Sequence, residues 1–228
     1  PVGSVSMSGL KLFEGVSQRK AIIYTSSLII ASGSGLTRVF QELLKSQGYA
    51  ARQTNDFACY DGGGLGAIID GERILVGTGA FMNLMGIRVP DSVNDKNSVF
   101  TAINGELAAV FTINYVPANS VRSALIALLN TKTNILFAVR DFNVTPNAIQ
   151  QKFKVSMEGV EFVPIDTVYK LSDVAVPKEA GASAILCRGG LAPFAEVITR
   201  GRFLKAVTEL NTLISVAGSI IGLLIMLF

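Results

Sequence analysis

Gly64-Leu65-Gly66-Ala67-Ile68-Ile69-Asp70-Gly71-Glu72-Arg73-Ile74-Leu75-Val76-Gly77 decides the fold of this chain. Two apolar runs flank Asp70-Gly71, a dipeptide that tolerates the positive φ angles of a two-residue turn, and the stretch reads as a β-hairpin. Ser98 to Ile113 repeats the signal around Asn104-Gly105. Four antiparallel strands follow from local chemistry, and the segments on either side read as attachments to them.

On the N-terminal side, Ala21 to Ala31 is an apolar run with helical spacing, stopped by Ser32-Gly33-Ser34-Gly35, and is expected to be a buried helix. Leu36 to Gln47 places Leu36, Val39, Phe40, Leu43 and Leu44 on one face and charged residues opposite, with Gly48 as its stop. That pattern predicts an amphipathic helix. Residues 1–18, rich in Gly and Ser, read as a linker or an incomplete strand.

On the C-terminal side, a short helix is expected over Thr78 to Met85 and a polar loop over Arg88 to Asn97. Val116-Pro117 is expected to break the last hairpin strand. A helix over Ser120 to Leu129, a strand over Asn134 to Val139 and a helix opened by Thr145-Pro146 then have the rhythm of an α/β unit with parallel pairing. Val160 to Ile165 and Ser183 to Cys187 are further strand candidates. Phe194 to Leu210 reads as a helix carrying Arg200, Arg202 and Lys205, and Thr212 to Phe228 holds no charge. The apolar tail is close to the ~20 residues of a membrane span, and the basic residues before it place residues 1–211 on the cytoplasmic side. Both ends read as cuts within a longer protein.

Composition excludes several chemistries. The 228 residues are 50% apolar, enough for a sizeable core, and the net charge of +3 comes without a basic, aromatic-interleaved run, so nucleic acid is not an expected partner. Histidine is absent, which removes Ser-His triads and most zinc sites. Cys59 and Cys187 lack CxxC spacing and read as reduced thiols.

The order of these elements resembles the cytoplasmic part of a P-type cation-transporting ATPase of the heavy-metal (copper, zinc, cadmium) class. The family's Ser-Glu-His-Pro-Leu corresponds to Ser32-Gly33-Ser34-Gly35-Leu36, and its Pro-Gly-x-Gly-Val loop to Asp61-Gly62-Gly63-Gly64-Leu65. Leu75-Val76-Gly77 and Gly86-Ile87 continue the match. The resemblance implies that Gly62 and Gly64 let the backbone approach a nucleotide. Ser34 stands where the family has its adenine-contacting histidine. Its Thr-Gly-Asp corresponds to Val139-Arg140-Asp141, which keeps only the acid. The magnesium loop Gly-Asp-Gly-x-Asn-Asp has no counterpart, and the phosphorylated Asp-Lys-Thr-Gly-Thr would fall upstream of Pro1.

The resemblance thus implies an α/β chain: a linker over 1–18, an α+β nucleotide-binding domain with a helix-flanked antiparallel sheet over 19–115, and a reduced HAD-like phosphorylation domain over 116–190. A juxtamembrane helix over 191–211 and a membrane segment over 212–228 complete it. The implied nucleotide-contacting residues are Gly62, Gly64 and Ser34, with Asp141 a candidate for metal or nucleotide and no metal ligands assigned. ATP and Mg²⁺ are the implied cofactors, and the membrane and a transported cation the implied partners. Two functions remain open: the ATP-binding portion of a cation pump, or a catalytically inactive, membrane-anchored nucleotide-binding or scaffold module. Turnover, with transfer of the γ-phosphoryl group to an aspartate, belongs to the first alone.

Overall fold

A computed structural model describes residues 3–60, 62–93, 97–131, 135–164, 167–168 and 190–227. The chain forms two compact units, one of residues 1–118 and 136–181, the other of 119–135 and 182–228. This division cuts across the boundary expected at 115/116. The strand candidate Ser183 to Cys187 lies outside the described residues, as does Asp61 of the glycine loop.

The first unit is built on a six-stranded antiparallel sheet. In chain order its strands are β1 (Gly3–Leu12), β2 (Asn55–Tyr60), β3 (Gly64–Ile69), β4 (Glu72–Gly77), β5 (Ser98–Ile103) and β6 (Glu106–Pro117). Their order across the sheet is β1-β6-β5-β4-β3-β2. Both hairpins turn as the sequence predicts: Asp70 and Gly71 have φ of 51° and 80°, Asn104 and Gly105 51° and 89°. Two consecutive positive φ values make a type I′ turn, whose twist matches that of the flanking strands. The turn pairs Ile69 with Glu72 and, counting outward, Gly64 with Gly77.

Side chains alternate across the sheet. Ile74, Val76, Val99, Ile103, Ala109, Phe111 and Ile113 enter one core with Ile22, Leu28, Ile29, Leu36 and Phe40. Leu75, Phe100, Ala102 and Val110 enter a second core on the opposite face with Phe81, Met82, Ile87 and Val89. Every residue of β5 is therefore buried.

The first core is closed by α1 (Gln18–Ser32) and α2 (Thr37–Ser46). Residues 21–29 of α1 are buried on all sides. Its mid-helix hydroxyls consequently need partners. Thr25 Oγ1 lies 2.6 Å from Thr101 Oγ1 on β5 and donates to the Ala21 carbonyl, and Ser27 Oγ donates to Ile23 while accepting from the Arg52 N–H. Gly48, at φ 67°, ends α2, and the Tyr49 N–H reaches back to the Leu44 carbonyl at 2.9 Å. This closure satisfies a carbonyl that the helix itself leaves unpaired. α3 (Gly79–Leu84) starts at Thr78, whose Oγ1 accepts from the Phe81 N–H at 3.1 Å.

Two readings need correction, and one strand has no counterpart in the sequence reading. Of the two readings of residues 1–18, linker or incomplete strand, the linker fails: Gly3–Leu12 form β1, hydrogen-bonded along β6 from Gly3↔Pro117 to Leu12↔Ala109. Exposed and half-buried positions alternate along it, as on an edge strand with one wet face. Val116-Pro117 do not break β6, because the strand runs on against β1 and Pro117 closes its last pair. β2 carries no strand signal in the sequence, since Asn55 and Asp56 depress strand propensity and Asp56, at φ 50°, falls in a bulge.

After β6, β7 (Ile135–Phe137) and β8 (Val160–Phe162) form a separate two-stranded sheet, with the Phe137 and Phe162 rings stacked at 5.3 Å. Both strands are shorter than expected. The second unit contains α4 (Asn119–Asn130), and between β7 and β8 lies α5 (Pro146–Phe153), capped by Thr145 Oγ1 on the Ala148 N–H. α6 (Leu191–Leu227) joins α4 in the second unit, where Ala124, Leu128 and Ala195 share a small core. α6 is one continuous helix of 37 residues, long and apolar enough to cross a membrane.

Phe111, fully buried at the centre of the first core, meets Phe40 edge-on with ring centroids 5.3 Å apart. Phe111→Ala removes this contact and leaves a cavity between sheet and helices. It is expected to destabilise the first unit by about 3–5 kcal/mol in denaturant unfolding followed by amide exchange.

Candidate functional site

The residues singled out from the sequence fall on three stretches of the first unit: the turn 32–35 between α1 and α2, the glycine turn 62–64 between β2 and β3, and the loop 140–143 after β7. A Cβ added at Gly33 would lie 2.9 Å from Arg140 Nη1, one at Gly35 3.3 Å from Asp141 Oδ2, and one at Gly63 3.7 Å from the Phe142 carbonyl oxygen. Consecutive residues of a single segment thus lie beside both glycine-bearing turns. The three stretches come together although they lie far apart along the chain.

Ser34 faces inward. It is buried, and its Oγ accepts from the Leu36 N–H at 3.4 Å while its own N–H donates to Ser32 Oγ at 3.2 Å. The hydroxyl is engaged in shaping the turn that starts α2. The two glycines differ. Gly62 is exposed, with Leu84 Cδ2 2.9 Å from where its Cβ would stand. Gly64 is buried, and any Cβ there would overlap the Phe81 ring.

The space at Gly64 is thus taken by the chain itself. Gly77, its partner across the hairpin, would place a Cβ 2.5 Å from the same ring. Two glycines facing each other leave a hollow in one side of the sheet, and Phe81, held in register by the Thr78 cap, fills it beside Tyr60 at 5.5 Å. Phe81 is the residue that sequence reasoning missed. Its signal is nonetheless there, because a two-residue turn at 70–71 necessarily sets Gly64 against Gly77.

Asp141 is 6% exposed. Tyr115 Oη donates to it at 3.1 Å, and the Asn143 N–H donates to Oδ1 at 3.0 Å. Burial is the main influence on the carboxyl and pushes its pKa up to about 6, opposed by the Asn143 N–H, the Tyr115 hydroxyl and the charge of Lys152. Lys152 on α5 sits 4.3 Å from the centre of the Tyr115 ring. Burial, reinforced by the Asp141 charge, likewise raises the Tyr115 phenol above its ordinary range. Among the described residues no three His, Cys, Asp or Glu side chains come together to hold a metal. A lone, enclosed carboxylate does not fit Mg²⁺, which takes several oxygen ligands and keeps water.

Gly64→Ala is expected to destabilise the first unit by about 1–3 kcal/mol through overlap with Phe81. In the double variant with Phe81→Leu the cost should fall well short of the sum of the two single costs, as measured by urea unfolding. Additive costs would place the strain elsewhere.

Asp141 also predicts a pH dependence. An unfolded carboxyl titrates near about 3.9, the folded one near 6, so between these values the folded chain holds a proton that the unfolded chain releases. Stability should therefore fall as pH rises through this window, by about 2–3 kcal/mol in total, and the loss is complete above the folded value. Asp141→Asn should flatten the difference between denaturant midpoints at pH 4 and pH 7.

No family model matches the chain, and no curated protein matches it. Among solved structures it is similar to the N-domain of HMA6, a copper-transporting P-type ATPase, at 16% identity over 48% of this chain and 98% of that one, with a TM-score of 0.40. It is similar to the catalytic domain of the CPx-ATPase CopB-B at 18% identity, covering 71% of this chain and 55% of that one, with a TM-score of 0.43. A zinc-transporting PIB-type ATPase shows 15% identity over 71% of this chain and 27% of that one, with a TM-score of 0.40. At such identities and scores no residue's role follows from the likeness.

Proposed function

We propose that this chain is the cytoplasmic nucleotide-binding portion of a P-type cation-transporting ATPase homologue, attached to the membrane through α6. The observation that carries this reading is the convergence of the turn 32–35, the glycine turn 62–64 and the loop 140–143 on one region of the first unit. These are the stretches to which the motif resemblance assigns nucleotide contact and the Thr-Gly-Asp acid. Arg200, Arg202 and Lys205 on α6, ahead of its uncharged end, support a cytoplasmic first unit.

ATP is the ligand this reading implies, and as the cradle stands its residues do not fit it. The Ser34 hydroxyl is turned into its own backbone, the Gly64 space holds Phe81, and Gly35 faces Asp141. Without the family's imidazole, adenine loses a stacking and hydrogen-bonding partner worth about 1–2 kcal/mol, roughly a five- to thirtyfold loss in affinity. The filled hollow at Gly64 favours a second reading, in which the chain is a catalytically inactive, membrane-anchored scaffold.

Titration of the full chain in detergent micelles with ATP, followed through backbone amide shifts, separates the two. A fragment of residues 19–115 would not serve, because β1 and Phe142 both contribute to the first unit's sheet and core. Saturable shifts over 33–37 and 62–66 at millimolar ATP would support the nucleotide-binding reading. No shifts at about 10 mM ATP, a ceiling near −2.7 kcal/mol, would leave the scaffold reading.

A further inference from the structure

We propose that a cavity on the second face of the sheet, between its β1 end and the short turn Asp91–Val93, binds a small zwitterion of the α-amino-acid class. The cavity lies on the face opposite α1 and α2, so the inference goes beyond the nucleotide reading and does not depend on it.

Strand register builds the floor. Ser98 on β5 pairs with Thr112 on β6, and Thr112 pairs with Gly9 on β1. The next row on the same face is Phe100, Val110 and Lys11, of which Phe100 and Val110 fill the second core. One row further on, the side chains shrink to two hydroxyls and a glycine, and the surface recedes. Asp91–Val93 form the facing wall, with the Val93 N–H on the Pro90 carbonyl at 3.1 Å and Val89 and Val93 seated on the second core. The cavity measures about 290 Å³, just below the usual range for drug-sized ligands, and takes a molecule of few heavy atoms.

Its polar groups lack partners in the chain. Ser98 is 2% exposed, yet its hydroxyl has no hydrogen-bond partner among the described residues. Thr101, three residues on and facing the first core, is the contrast: its hydroxyl lies 2.6 Å from Thr25 Oγ1. Buried hydroxyls are as a rule satisfied, and a polar ligand in the cavity would satisfy Ser98. The Thr112 hydroxyl beside it is likewise without a partner among the described residues, since only the Thr112 carbonyl is engaged, by Ser8. Lys11 and Asp91 bring opposite charges to the rim, and among the described residues neither has an ion-pair partner. Lys11 Nζ stands 6.0 Å from the centre of the Phe13 ring.

This set discriminates between ligand classes. An ammonium only donates and an ionised carboxylate only accepts. Phosphate or a simple carboxylate would meet Lys11 and bring its charge towards Asp91, and a simple amine would do the reverse. A polyol would use the hydroxyls and neither charge. A molecule with one carboxylate and one ammonium uses both charges, with the Ser98 and Thr112 hydroxyls donating to its carboxylate and Val93 and Val110 against a small apolar side chain.

The test titrates L-alanine into the full chain in micelles and reads backbone amide shifts at Lys11, Ser98, Val110 and Thr112. Alanine amide and N-acetylalanine, each with a single charge, are run beside it, as are inorganic phosphate and glycerol. Support requires saturable shifts at millimolar alanine, every control weaker by about fivefold or more, and a similar loss in both Lys11→Met and Asp91→Asn. Both variants are exposed and should keep the wild-type unfolding midpoint. Ser98→Ala should weaken alanine binding as well, and if this buried change disturbs the sheet the two rim variants decide. No saturable shifts at about 50 mM alanine overturn the inference. So does any control that binds as tightly as alanine, and so does an unchanged affinity in either rim variant.

Discussion

The register set by two positive-φ dipeptides is the constraint on which the rest of the first unit depends. Asp70-Gly71 and Asn104-Gly105 each allow one tight turn, and a tight turn allows one alignment of its strands. The two hairpins are also tied to each other, since the Arg73 N–H donates to Asn104 Oδ1 and the Asn104 N–H to the Arg73 carbonyl. With that alignment, Ile74, Val76, Val99 and Phe111 point to one core and Leu75, Phe100 and Val110 to the other. A slip of one residue would exchange the two sets, and neither would then match its helices.

The same register creates the hollow at Gly64 and Gly77 and so gives Phe81 its place. A glycine-rich strand entry is expected to serve a ligand, whereas the structure uses it first for packing. The two roles need the same thing, backbone without side chains, and the residue types alone do not separate them. The deciding factor is what approaches from the next element. Here the Thr78 cap fixes the start of α3 and thereby aims the Phe81 ring at the gap.

Asp141 shows a related ambiguity. An acid after a short strand in an α/β rhythm suggests exposed chemistry at a strand end. In the structure it is an enclosed carboxylate whose donors are a phenol 26 residues earlier and a backbone amide two residues later. Asp141 lies beside the turn before α2, and the loop after β7 packs within the same compact unit as the sheet. Burial and local hydrogen bonding, with no metal-binding cluster among the described residues, define the chemistry available to it.

By itself the sequence determined what short-range chemistry controls: both hairpins, the buried and amphipathic helices that close the first core, the Gly48 stop, the Thr145-Pro146 helix start and an apolar C-terminal helix. Each rests on dipeptide φ preferences, capping or periodicity within about 15 residues. Tertiary structure alone decided that residues 3–12 are an edge strand, because a Ser- and Gly-rich segment becomes a strand only when β6 offers it an unpaired edge. It also decided that the 140–143 segment lies beside two turns distant from it in the chain, and that Phe81 fills the space between two glycines. These contacts join residues whose separation along the chain carries no periodic signal, so only the packed fold could reveal them.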